Sequence, residues 1–159
     1  MKQTLTITYD TLQWEEMDNN DQALVEKAKN SCKYSYAPFS EFHVGCALQL
    51  EEGIILTGNN QENASFPCGT CAERATIFYA HANYPHLAPT VIAIAARRKD
   101  GEYMERPLPP CGACRQALLE MENLFQKPIK MILYGTRESI IVHSIKDILP
   151  FQFEANMME

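Results

Sequence analysis

Two cysteine pairs of equal spacing, Cys68-x-x-Cys71 and Cys111-x-x-Cys114, mark the middle of the chain, with Cys111 standing 40 positions after Cys71. For sulfurs from both pairs to meet at one metal ion, the intervening chain must leave and return to the same end of one layer. That requirement constrains the fold more than any other feature. Spacing leaves two arrangements open: four thiolates with Cys68 among them close a structural zinc site, whereas three leave a fourth position for chemistry. The separation of 40 positions is long for a zinc ribbon. Glu73, two residues after Cys71, favours the open site, because a carboxylate there can lie beside the metal without binding it, where a proton shuttle belongs.

The hydrophobic pattern supplies elements that bring the pairs together. Leu5, Ile7 and Tyr9 alternate as in a short strand or extended arm. Leu24, Val25, Ala28 and Cys32 form a helical stripe with Asn20 or Asp21 as its N-cap, ending before Pro38. Phe42 to Leu50 and Ile54 to Gly58 read as a hairpin turning at Glu52-Gly53. A helix begins near Cys71, carrying Ala75, Phe78, Tyr79 and Ala82, and a second begins after Pro109-Pro110 with Leu118, Leu119 and Met121 on its apolar side. Val91–Ala96 and Ile129–Tyr134 are apolar runs typical of buried strands, and Ile140–Val142 is a shorter one. The order αββαβαββ after the arm predicts a three-layer α/β/α sandwich around one five-stranded mixed sheet. Both cysteine pairs then sit where a helix begins, and the positive end of the helix favours thiolates there.

Length and charge narrow the function. A chain of 159 residues fits a single domain that buries a core without help from a metal. Residues 1–20 read as an N-terminal extension and 21–159 as the domain. Fourteen Lys and Arg against 20 Asp and Glu give a net charge of −6, and no basic run exceeds Arg97–Lys99, which argues against nucleic acid and for a small substrate. The longest apolar run, residues 91–96, is too short to cross a membrane. Six cysteines without an export signal point to the cytoplasm, where such spacings more often mean metal or catalysis than disulfides.

Cys71-Ala72-Glu73 followed by Pro110-Cys111-Gly112-Ala113-Cys114 matches the ligand and shuttle pattern of zinc deaminases acting on nucleobases. Over roughly residues 21–153 the chain resembles the small homotetrameric cytidine deaminases, with SEFHVG (40–45), NQENASFP (60–67), CAERA (71–75) and PCGACRQ (110–116) in the family's order. The resemblance implies hydrolysis of cytidine and deoxycytidine to uridine and deoxyuridine with release of ammonia, in pyrimidine salvage. One zinc ion per subunit is expected on Cys71, Cys111 and Cys114, with Glu73 as acid and base. Arg74 is expected to hydrogen-bond the ligand sulfurs and offset the negative charge of three thiolates.

The resemblance further implies that Asn60 and Glu62 grip the ribose 3′-hydroxyl and that Phe42 packs on the pyrimidine, with Ala72 at the same pocket. Phe153 corresponds to an aromatic residue that enters a neighbouring subunit's site, so a homotetramer is expected. His43, His81, His86 and His143 lie outside the metal spacing, and Cys32 and Cys46 sit on apolar faces as small hydrophobes. Cys68 departs from the family, which commonly has an apolar residue there. Two rival readings are a deaminase of modified cytosine nucleosides such as blasticidin S, and a non-catalytic zinc module closed by Cys68.

Overall fold

A computed structural model of the chain describes residues 1–158; Glu159, the last residue of the expected domain, lies outside the described residues. Six strands form one sheet: β1 (Asp10–Leu12), β2 (His43–Leu50), β3 (Ile55–Asn59), β4 (Pro89–Arg97), β5 (Lys130–Leu133) and β6 (Ser139–Val142). Their spatial order is β1-β6-β5-β4-β2-β3. Only β4 and β5 run parallel, and the helix between them supplies the crossover that a parallel pair requires. Among the described residues three α-helices accompany the sheet: α1 (Asn19–Ser31), α2 (Ala72–Asn83) and α3 (Gly112–Phe125).

The apolar run of β4 explains the three layers. Ile92, Ile94 and Ala96 pack with Ile77 and Ala80 of α2 and Leu118 and Leu119 of α3, whereas Ala93 and Ala95 face Leu24, Val25 and Ala28 of α1. Large side chains thus fill the two-helix side, and small ones let α1 approach closely. Gly45 on β2 shows how closely, since a Cβ there would lie 2.0 Å from the Ala28 carbonyl oxygen. Cys32 and Cys46 are fully buried in these two layers, as small hydrophobes are expected to be. The N-cap of helix α1 is Asp18, two or three residues before the expected Asn20 or Asp21, because its side chain accepts a hydrogen bond from the Asp21 amide at 2.9 Å. Asp21 is buried instead and pairs with Lys130 Nζ at 2.5 Å.

The sixth strand is the one departure from the expected sheet. Alternation points to a strand over Leu5–Tyr9, but residues 1–9 belong to no strand, and pairing occurs at Asp10–Leu12, where Ser139 to Ile141 of β6 supply a partner. The chain then returns to the core. Trp14 meets Tyr134 edge to face at 5.9 Å, and Lys29 Nζ sits over the rings of Trp14, Tyr103 and Tyr134 at 5.5, 5.1 and 5.2 Å. Met17 is buried beside them. Among the described residues no helix is long and apolar enough to cross a membrane.

Candidate active site

The start of β2 lies between the ends of β3 and β4, with Gly45 opposite Asn59 and His43 opposite Arg97. The loops that leave β3 and β4 at this end lead into α2 and α3. Cys71 is the N-cap of α2 and Cys111 the N-cap of α3, both with extended backbone and neither spending its side chain on the helix it begins. Cys114 stands one turn into α3, buried. Two free N-cap sulfurs and a third beneath them therefore converge.

The Cys71 and Cys111 sulfurs are 3.9 Å apart, Cys111 and Cys114 are 3.4 Å apart, and all three lie within 4.8 Å of one another. Disulfide sulfurs stand at about 2.05 Å, whereas ligands about 2.3 Å from a tetrahedral zinc are separated by roughly 3.8 Å. The spacing fits a shared zinc ion. Cys68 is exposed in a 3-10 turn (Phe66–Cys68) and does not belong to the cluster, so three sulfurs converge here and not four.

Charge is distributed as such a site needs. A hydrogen bond from Cys114 and, after it, the Arg74 guanidinium hold the Cys71 thiol down at about 5, against burial. Cys114 is pushed up because it donates to Cys71 and is buried. Cys71 in turn raises the Arg74 guanidinium, whose buried Nε has no hydrogen-bond partner among the described residues. An arginine so placed fits anionic sulfurs better than a neutral pocket. Glu73, one residue away, is 5% exposed, and burial first, then the charge on Cys71, raises its carboxyl above the usual range. It holds a proton more readily than a surface glutamate does.

A cavity of about 690 Å³ opens over this cluster, with Phe42, Asn60, Glu62, Ala72, Glu73 and Cys111 in its wall. Asn60 carries the β2–β3 ladder past its end, its Oδ1 accepting from the Val44 amide at 2.8 Å and its Nδ2 donating to the Phe42 carbonyl at 2.9 Å. One amide hydrogen remains, and Phe42 is fixed. Glu62 Oε2 accepts from the Phe39 and Ser40 amides at 2.8 and 3.2 Å. The Ser40 side chain first, then these amides, hold its carboxyl below the usual range. Both residues thus organise the cavity wall before any ligand arrives.

The sequence reading missed Phe39 and Phe66, which also line the cavity and meet edge to face at 5.5 Å while 51% and 73% exposed. Each stands next to a proline, Pro38 and Pro67, the available signal that two loops project aromatics there. Phe153 is not brought to this cavity: it is 56% exposed, and its carbonyl accepts from Gln116 Nε2 at 3.0 Å. His43 bonds Ser35 and His143 bonds Asp10 at 2.7 Å, both away from the sulfurs.

Comparisons with known proteins agree with this geometry. The family described as the cytidine and deoxycytidylate deaminase zinc-binding region matches residues 18–126. A cytidine deaminase of Halalkalibacterium halodurans is 36% identical over 137 residues, covering 86% of this chain and 96% of that protein. The crystal structure of a cytidine deaminase from Burkholderia pseudomallei superposes with a TM-score of 0.72 at 34% identity, covering 86% of this chain and all of that one. A Mycobacterium tuberculosis cytidine deaminase structure gives 0.65 at 29% identity, over 86% and 99% of the two chains.

Proposed function

Because the chain belongs to the cytidine and deoxycytidylate deaminase family, we propose that its cavity is the place where cytidine is hydrolysed and that Glu73 moves the protons. The chain is an enzyme that deaminates cytidine in a zinc-dependent reaction, giving uridine and ammonia. Cys71, Cys111 and Cys114 would hold a zinc ion, which when bound would make water acidic enough to attack at neutral pH. Glu73 accepts a proton from the attacking water and delivers it to the ring nitrogen beside the amine-bearing carbon. It then takes the proton of the new hydroxyl and passes it to the amine, which leaves as ammonia as the carbon–nitrogen bond breaks and the hydroxyl oxygen becomes a carbonyl. The single observation that carries this reading is the buried carboxylate of Glu73, 5% exposed, set against three converging sulfurs.

Arg74 holds negative charge on the Cys71 side of the cluster. Phe42, fixed by Asn60, packs on the pyrimidine, with Ala72 beneath it. The remaining amide hydrogen of Asn60 and the Glu62 carboxylate take the 3′-hydroxyl. Because that clamp addresses the 3′ position, deoxycytidine is a substrate as well, whereas free cytosine leaves the clamp unpaired.

Exposed Cys111 and exposed Phe153 suit an assembly in which a neighbouring copy's aromatic closes the site, a homotetramer with one zinc per subunit. Residues 21–159 form the catalytic unit, with residues 1–20 an extension that packs on it through Asp10–Leu12 and Met17, and the enzyme works in the cytoplasm. Metal analysis with an ultraviolet assay tests the reading. One zinc per chain and turnover of cytidine and deoxycytidine but not cytosine or blasticidin S are expected; equal turnover of cytosine would overturn the sugar clamp.

A further inference from the structure

Residues 1–9 are exposed and unpaired within their own chain, and Leu5, Ile7 and Tyr9 are 64%, 42% and 55% accessible. They lead directly into β1, the outermost strand of the sheet, whose outer edge is open. Natural sheet edges are usually blunted by charge, proline or a bulge, yet Gln3 to Tyr9 contains no charge, proline or glycine. This segment precedes the shared deaminase region, so the site's chemistry does not account for it.

We infer that Lys2–Asp10 pairs antiparallel with the same segment of a second copy, about a two-fold axis through Thr6. In that register Lys2 meets Asp10, Gln3 meets Tyr9, Thr4 meets Thr8, Leu5 meets Ile7, and Thr6 meets itself. Apolar side chains oppose each other on one face, and threonines and opposite charges do so on the other, the pairings that stabilise antiparallel strands. A slip of one residue would set Leu5 and Ile7 against threonines. A slip of two keeps the faces matched but moves Lys2 from Asp10 to Thr8 or Leu12. The register that satisfies apolar and charged residues together is therefore single.

The local structure leaves the needed groups available. Lys2 makes no ion pair among the described residues, and Asp10, bonded through Oδ2 to His143, keeps further acceptor capacity. Both copies contribute the same surface, as a closed two-fold contact demands. The pairing is independent of the assembly through Phe153 and of the deaminase reading.

Crosslinking of the full chain tests it. Under mild oxidation Thr6→Cys should give a covalent dimer on a non-reducing gel at least about five times faster than the parent, Leu5→Cys or Ile7→Cys, with cytidine turnover unchanged. Adding Lys2→Glu, which sets two acids against each other, should slow the Thr6→Cys crosslink several-fold. A Thr6→Cys chain that dimerises no faster than the parent overturns the pairing. Crosslinking indifferent to Lys2→Glu overturns this register.

Discussion

Glu73 and Glu122 are the same residue at nearly the same burial, 5% and 4% exposed, on neighbouring helices of the same layer. Their surroundings differ in one respect. Glu122 is saturated with donors: the Ile129 and Ile145 amides reach its Oε2 at 2.9 and 2.8 Å, and the Ser144 hydroxyl reaches its Oε1 at 2.5 Å. Glu73 sits at the mouth of a helix beside sulfurs, and burial raises its proton affinity. A buried carboxylate that is fully bonded ties loops together, and one left open is available to move protons. Burial alone does not distinguish them.

Exchange of Glu73 gives the largest effect that this contrast predicts. Glu73→Gln should reduce cytidine turnover by about 10²–10⁴-fold or more, the usual contribution of a positioned acid and base, while the zinc content stays at the parent's level. Thermal stability should hold or rise, because a carboxylate whose charge is disfavoured by burial is replaced by a neutral amide. Near-normal turnover by zinc-loaded protein would assign the proton transfers elsewhere.

Glu122→Ala should invert the pattern. Two buried amides and a hydroxyl lose their acceptor at about 1–3 kcal/mol for each group left unsatisfied, so a net loss of roughly 2–4 kcal/mol is expected once water enters. Denaturant unfolding measures it, and turnover per zinc-loaded molecule should stay within about twofold of the parent. Glu122→Gln, which keeps an acceptor oxygen, should recover part of the stability. A large loss of turnover in folded protein would make the two glutamates alike and break the contrast.

Local signals made most of this architecture legible. The period of each segment, the proline pair before Cys111 and the cysteine spacing place the helices, the central strands and the three sulfurs. What they could not supply depends on contacts distant in sequence. β1 forms at Asp10–Leu12 and not at Leu5–Tyr9 because β6, more than a hundred residues away, ends there. Asn60 and Glu62 can be assigned to a sugar from their motif, yet their bonds to Phe42, Val44, Phe39 and Ser40 come from the fold of the loop. Glu122 was not singled out in the sequence, because its donors arrive from two later segments.

Glu62 is a third carboxylate between the two extremes, exposed enough for a ligand but already spent in part on a turn. Glu62→Ala should lower kcat/KM for cytidine by about 10–100-fold and should hardly change any residual activity on cytosine. Its folded pKa lies below the ordinary 4.5, so its support of the turn is complete above that value and is lost only as the pH falls below it. The contribution of Glu62 to cytidine binding should therefore persist to lower pH than that of a free carboxylate. Equal losses on nucleoside and base would show that Glu62 supports the fold alone.

The smallest expected effect repeats the contrast among cysteines. Cys68 and Cys71 share a CxxC, but Cys71 begins a helix whose first turn carries Glu73, whereas Cys68 ends a 3-10 turn on the surface and stays outside the sulfur cluster. A fourth thiolate would add negative charge and occupy the position that water needs. It would also leave Glu73 and Arg74 without a task. Cys68→Ser should therefore bind one zinc per chain and turn over cytidine within about twofold of the parent, since an exposed substitution away from the site changes stability by about 0.5 kcal/mol or less. Cys71→Ser, Cys111→Ser and Cys114→Ser should lose metal or activity under the same assay. Release of zinc by Cys68→Ser alone would mean that the site closes on four sulfurs in solution, and the distinction between an open and a saturated centre would fail at the metal itself.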